Sequence, residues 1–391
     1  SEYRYLTLKI WMVLLLPPDM LKILVLALVL ILAASSSSSA DIRVADFSLS
    51  TKSFDISETK SLGGNDRGPA IAVLSDGTLL LGGGSRGGSI FSWREDQGEL
   101  KLLGEMMNRK ERIRDSRFAI TDIAVLSESK DVAELLISYP RLASSRCVEV
   151  VVFKALFDRA KAKVTKKENW FRSKPCVPIS AVQHAAGRME VINSKSVYLT
   201  IGDLGYADIG DRVTRGDLGS VFRITSKSVK KVSTGHRNQQ GIVLLDGKTL
   251  LTSEHGPRGG DEINIIQPGI DYGWPFVTYG APYSQGDYVI PQKTGTHEGF
   301  REPVKVWNPS IAPTELVQLP KDRYGKYAGG LVLGSLREAS LVFMRFENGK
   351  ILDTEISRVG ARIRDLDLMP DGRLIASTDD GQLLIFTSSL N

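Results

Sequence analysis

This 391-residue chain has little sulfur, few histidines and no long apolar run. Cys147 and Cys176 are its only cysteines. Two are too few for a disulfide-dense scaffold, and with no histidine near them they do not make a zinc site. They read either as one disulfide, closing a loop at a gain of about 3–4 kcal/mol, or as two unrelated buried thiols. The longest apolar run, Ile23–Ala34, covers twelve residues, short of the roughly 20 that cross a bilayer. Met20, Leu21 and Lys22 precede it, and Ser35–Ser39 and Ala40 follow. This pattern reads as a secretory signal cleaved after Ala40, with residues 1–19 upstream of a start at Met20. No cysteine follows the run to carry a lipid anchor. Export to the periplasm or beyond is therefore expected, with no stable membrane span in the mature chain. Neither sign of charge dominates: 50 Lys and Arg face 45 Asp and Glu, for a net charge of +5. The one basic run, Ala160–Lys167, lacks interleaved aromatics and reads as a solvated hairpin, so no nucleic-acid partner is expected.

Long amphipathic helices are also missing after residue 40. The chain instead holds 37 glycines and 16 prolines, a supply suited to many short strands joined by turns. Six similar units of apolar strand, turn, strand, loop and strand can be traced, at 71–94, 120–155, 189–225, 241–267, 330–347 and 366–386. Asp76-Gly77, Asp246-Gly247 and Asp371-Gly372 sit between alternating apolar runs, a strong hairpin signal. The reading is an all-β chain whose residues 41–391 form one six-bladed β-propeller domain. A pair of β-sandwiches is the alternative, but it does not explain six repeats.

Gly235–Gly280 is the densest polar stretch. His236, Arg237, Asn238, His255, Arg258, Asp261 and Glu262 stand there among turn-forming Gly and Pro, with one apolar strand between two clusters. Unpaired groups of this kind are costly in a core, so they are expected to line a cavity for a polar or anionic ligand. Three of the four histidines, His184, His236 and His255, lie in such glycine-flanked clusters.

GHRNQQG, then SEHGPRGGDEIN, then DYGWP in tandem resemble the glucose/sorbosone dehydrogenase family, whose soluble aldose dehydrogenases are six-bladed propellers using pyrroloquinoline quinone (PQQ). The resemblance runs from about Asp41 to Phe386 and is strongest after Val182. It implies a sugar substrate oxidised at the anomeric C1–OH to the lactone, with electrons passed to an external acceptor. In QHAAGRMEV it implies His184 as general base, a task suited to a neutral imidazole. It implies Arg237 and Asn238 at the quinone oxygens, the arginine also stabilising charge on the reduced cofactor. Arg362 and Arg364, on one face of a strand, match the pair that clamps the PQQ carboxylates. Trp307 matches an aromatic near the cofactor face. Singly, these last three would read as a salt-bridged strand face and a core indole. The backbone carbonyls of Gly256 and Pro257 are implied to hold a Ca²⁺. Asp261 and Glu262 could bind a second, structural Ca²⁺ or simply cap a turn, and His236 is expected to order its loop.

Three positions depart from the family pattern. Arg337 stands where the family often has a cofactor-contacting Lys, keeping charge but not shape. Arg117 is the nearest equivalent of a Gln in a Gly-rich stretch, and Gln183 replaces an Asp before the catalytic His. The pocket for PQQ is thus expected to be retained and sugar recognition altered. Two alternatives stay open: a catalytically silent ligand-binding propeller of the same family, and a Ca²⁺-dependent propeller lactonase, which would need several inward carboxylates.

Overall fold

Sheets of four or five antiparallel strands recur six times, because turns cut each apolar run. The computed structural model describes residues 41–113, 115–179, 184–283 and 289–390. The expected export signal, residues 20–40, and Gln183 lie outside these residues. Blade 1 spans 70–105, blade 2 122–172, blade 3 186–234, blade 4 239–307 and blade 5 313–358. Blade 6 takes its inner three strands from 363–390 and its outer two, Phe47–Asp55 and Ile42–Val44, from the start of the described chain. The inner strands of all six blades touch their neighbours in a closed ring. The fold is a six-bladed β-propeller, as the repeats predict.

The expected turns are present. At Leu245–Lys248, Asp246 (φ 50°) and Gly247 (φ 67°) both take the left-handed conformation that a tight hairpin demands. Both faces of the inner strands of each blade are buried, and six apolar clusters fill the wedges between neighbouring blades. This explains the nearly continuous apolar strands. Cys147 and Cys176 are bonded, with Cα atoms 5.6 Å apart, which ties a strand of blade 2 to the loop that leaves it.

The channel is closed by charge that the repeats do not reveal. Arg188, buried on the inner strand of blade 3, donates to Glu315 of blade 5, Asp365 of blade 6 and the Thr121 carbonyl. Inner-strand carboxylates also stitch blade to blade through backbone N–H groups. Glu190 accepts from Leu244 (3.1 Å), Glu315 from Ile242 (3.0 Å), Asp365 from Ile71 (2.8 Å) and Asp367 from Val73 (3.0 Å).

Antiparallel pairing within every blade puts the turns between second and third strands, and the connections between blades, at one end of the channel. His184, Arg237, Arg362 and Arg117 all lie on inter-blade connections, and Asp203, Gly256, Arg337 and Asp379 on second-to-third turns. Residues hundreds of positions apart thus share one mouth.

Candidate functional site

His184 precedes the inner strand of blade 3 with φ 52°. Its carbonyl packs so close to Gly202 that any side chain there would collide with it. Its Nδ1 lies 2.9 Å from Asp203 Oδ1. Asp203 is fully buried and also accepts from Gly205 N (2.8 Å) and Trp274 Nε1 (2.9 Å). A carboxylate held this way keeps the Nδ1 proton on its own side and puts the imidazole lone pair on Nε2. Trp274 reaches the site because residues 270–274 run beside blade 3, with Tyr272 N donating to Thr234 O (2.8 Å) and Trp274 N to Gly235 O (2.9 Å).

His184 opens into a pocket of about 190 Å³ shared with Arg67, Arg117, Asn238, His255 and Arg364. Beside it lies a larger cavity of about 800 Å³, lined by Lys60, Arg67, Arg117, Arg362, Arg364 and Asp379 among others. Burial and the neighbouring Arg364 push the Arg67 guanidinium down to about 9, and its Nε is buried without a partner. Arg364 donates to both oxygens of Asp379 at 2.8 Å, and Arg362 to one at 3.1 Å. Arg117 is paired with Asp115. His255 donates from Nε2 to Pro313 O (2.7 Å), and burial lowers its pKa, so it stands neutral.

The structure sorts the remaining expected residues. Asn238 faces the pocket, while Arg237 lies behind it, over the Trp274 ring at 5.4 Å, donating to Gly256 O (2.6 Å). His236 is fully buried between Glu254, Ser233 and the Tyr272 ring, and orders its loop. Arg337 is exposed on a turn of blade 5 at the same mouth. Trp307 is a correction: it sits on the outermost strand of blade 4, in the apolar core against blade 5. The indole at the site is that of Trp274, whose Nε1 donates to Asp203.

The residues present fit a polyanion, because unpartnered guanidinium nitrogen and several cations surround a cavity of sufficient size. They do not fit the expected Ca²⁺. Gly256 O accepts from Arg237, and Pro257 O from Tyr283 Oη (3.2 Å), so the nearest charge has the wrong sign for a cation. Asp261 is likewise a turn residue rather than a ligand. Its oxygens accept from Gly256 N (3.0 Å), Ser310 Oγ (2.6 Å), Ile311 N (2.8 Å) and Ala312 N (2.7 Å). Glu262 is paired with His297 at 2.7 Å. Among the described residues no group of three or more His, Cys, Asp or Glu is placed to hold a metal ion.

Sequence reasoning missed Asp203, Trp274, Asp379 and Arg67. Only Trp274 had a local signal, in the DYGWP motif.

A family model described as glucose/sorbosone dehydrogenase matches residues 66–385. Aldose sugar dehydrogenase YliI of Escherichia coli is 28% identical over 344 residues, covering 81% of this chain and 88% of its own. The uncharacterised protein slr1608 of Synechocystis sp. is 32% identical over 231 residues, 52% of this chain and 55% of its own. Two solved structures share the fold. The apo-form of the soluble aldose sugar dehydrogenase of Escherichia coli has TM-score 0.72 at 23% identity, covering 87% of this chain and 100% of that one. The PQQ-bound form of the aldose sugar dehydrogenase of Streptomyces coelicolor has TM-score 0.63 at 21% identity, covering 87% and 98%. The match over most of the chain places it in the glucose/sorbosone dehydrogenase family.

Proposed function

We propose that this chain is an exported, PQQ-dependent sugar dehydrogenase that oxidises an aldose or related sugar at its anomeric C1–OH to the lactone. One observation carries the reading: the His184–Asp203 pair opens into the same pocket as Arg67, Arg117 and Arg364. A base and an anion cradle are thereby brought within one small volume. PQQ, when bound, supplies the acceptor for the hydride that leaves C1.

The chain's own residues do the rest. His184 Nε2 takes the proton of the anomeric hydroxyl, and Asp203 stabilises the imidazolium that results. Arg362, Arg364, Arg67 and Arg117 are the cations that would hold carboxylates, with Arg337 at the rim. Asn238, on the pocket wall, offers a donor for quinone oxygens, and Arg237 behind it adds positive charge. No step is assigned to Ca²⁺, since the Arg237 guanidinium stands 2.6 Å from the Gly256 carbonyl expected to bind it. The names of the relatives, one of them solved with PQQ, support the same chemistry. The bonded Cys147–Cys176 pair supports an oxidising compartment, and among the described residues no helix is long and apolar enough to cross a membrane.

A second reading, a binding propeller without turnover, draws support from Asp379, whose carboxylate already lies on Arg362 and Arg364. The lactonase reading has no such support, because the inward carboxylates are engaged by Arg188 and backbone N–H groups. Dye reduction across a panel of aldoses, with PQQ added to the purified protein, separates them. PQQ-dependent turnover that disappears in His184→Ala supports the dehydrogenase. Binding of PQQ without turnover on any aldose leaves the silent propeller.

A further inference from the structure

At the same mouth, on the side of blade 1, a second pocket of about 380 Å³ is lined by Leu62, Ser85, Arg86, Arg109, Arg112 and Ile113. Among the described residues, none that lines it also lines the two cavities beside His184. Three guanidinium groups line it and, among the described residues, no carboxylate does. The acids nearby are committed elsewhere: Glu111 to Arg141 (2.9 Å), Asp115 to Arg117 (2.6 Å) and Glu105 to Ser89 Oγ (2.6 Å).

Arg112 is the key residue. It is only 9% exposed. Its Nε donates to Ile113 O (3.0 Å), and its Nη1 is buried with no partner. Burial and the charge of Arg86 both lower its pKa, so the cationic form is held at a cost. A buried donor left unmade costs about 1–3 kcal/mol or more when charged, and an oxygen anion accepting from it would remove that cost. The planar fork of arginine matches phosphate and carboxylate oxygens in bidentate fashion. The volume exceeds that of a bare ion and falls within the usual range for small-molecule sites, roughly 300–1,000 Å³. Leu62 and Ile113 supply apolar wall for the rest of such a ligand.

We propose that Arg86, Arg109 and Arg112 form an oxyanion-binding site, which takes the phosphate or carboxylate group of a ligand of monosaccharide size. The site is separate from the cofactor pocket and does not depend on the proposed oxidation.

Calorimetric titration of the full protein at low ionic strength tests this, with inorganic phosphate, glucose 6-phosphate, glucuronate and glucose as probes. Saturable one-to-one binding of phosphate is expected, weakened about tenfold or more in Arg112→Leu and in Arg86→Gln, the loss of one charge-assisted contact. Arg86 is exposed, so its variant keeps the test valid if Arg112→Leu fails to fold. Arg364→Gln should leave the affinity unchanged, and glucose should not compete. Tighter binding of glucose 6-phosphate or of glucuronate would identify the source of the anion. Absence of saturable binding by all three anions at about 10 mM overturns the proposal. So does loss of binding in Arg364→Gln but not in Arg86→Gln, which would put the ion in the cofactor pocket.

Discussion

A histidine becomes a useful base when something fixes which nitrogen carries the proton. Here that partner is Asp203, itself held by Gly205 N and Trp274 Nε1. Asp203→Asn should therefore act on His184 through orientation alone, as a positioning change. We expect kcat to fall by about 100-fold or more with PQQ affinity kept within about threefold. A matching loss of PQQ affinity in fluorescence titration would show a structural role instead. Arg364 divides its donors over both oxygens of Asp379. Arg364→Gln should weaken PQQ binding at least about tenfold, the worth of one charge-assisted pair, measured by the same titration. His184 and the Arg362–Arg364 pair were legible because each sits in a short local motif. Asp203, Asp379 and Arg67 were not, because their meaning comes from partners brought close by the ring, in one case 311 residues away in the chain, where Asp379 accepts from Gly68 N. Trp307 shows the opposite failure. A tryptophan in a polar, proline-rich segment reads the same whether it faces a ligand or, as here, a neighbouring blade.

At the scale of strands, the turns carried the fold. Asp-Gly pairs between apolar runs announce hairpins, and a regular spacing of hairpins announces blades. What the turns could not announce is the closure of blade 6 by Phe47–Asp55, since that strand finds its partner, Gln382–Leu390, at the far end of the chain. Nor did the repeats mark Pro313–Gln318 as the inner strand of blade 5. It lies upstream of the apolar run at Gly330, and its first three residues, Pro313, Thr314 and Glu315, include no strand-like apolar pair. The disulfide acts at this scale too. It closes 29 residues of sequence, a loop whose constraint is worth about 3–4 kcal/mol in the unfolded chain. The Cys147→Ser, Cys176→Ser double variant should melt several degrees lower in calorimetry, with the reduced wild type matching it. An unchanged melting temperature would mean that the bond contributes nothing to the fold.

Across the whole molecule, the ring is held by buried carboxylates whose protonation depends on pH. Burial raises Glu190 and Asp367 to about 7, and burial also raises Asp122 and Glu315, against values near 4 in an unfolded chain. Between about pH 4 and 7 the native state thus holds protons that the unfolded chain has released. Stability from these groups is full below that window and is lost as pH rises through it. His255, lowered by burial, works in the opposite sense, as one group against four. The melting temperature should therefore be higher at about pH 5.5 than at about pH 8. Asp367→Asn, which keeps an acceptor oxygen and removes the charge, should flatten that slope. A melting temperature that climbs steadily from acid to pH 8 would contradict the account of the channel.

In the proposed reading, one end of this propeller joins a base to a cradle for a polyanionic quinone. Titration of PQQ into the purified protein, followed by quenching of the tryptophan fluorescence to which Trp274 contributes, tests it most directly. Saturation is expected at one PQQ per chain, tight at micromolar concentration and weakened at least about tenfold in Arg364→Gln. Fluorescence that stays unchanged through micromolar PQQ would contradict it.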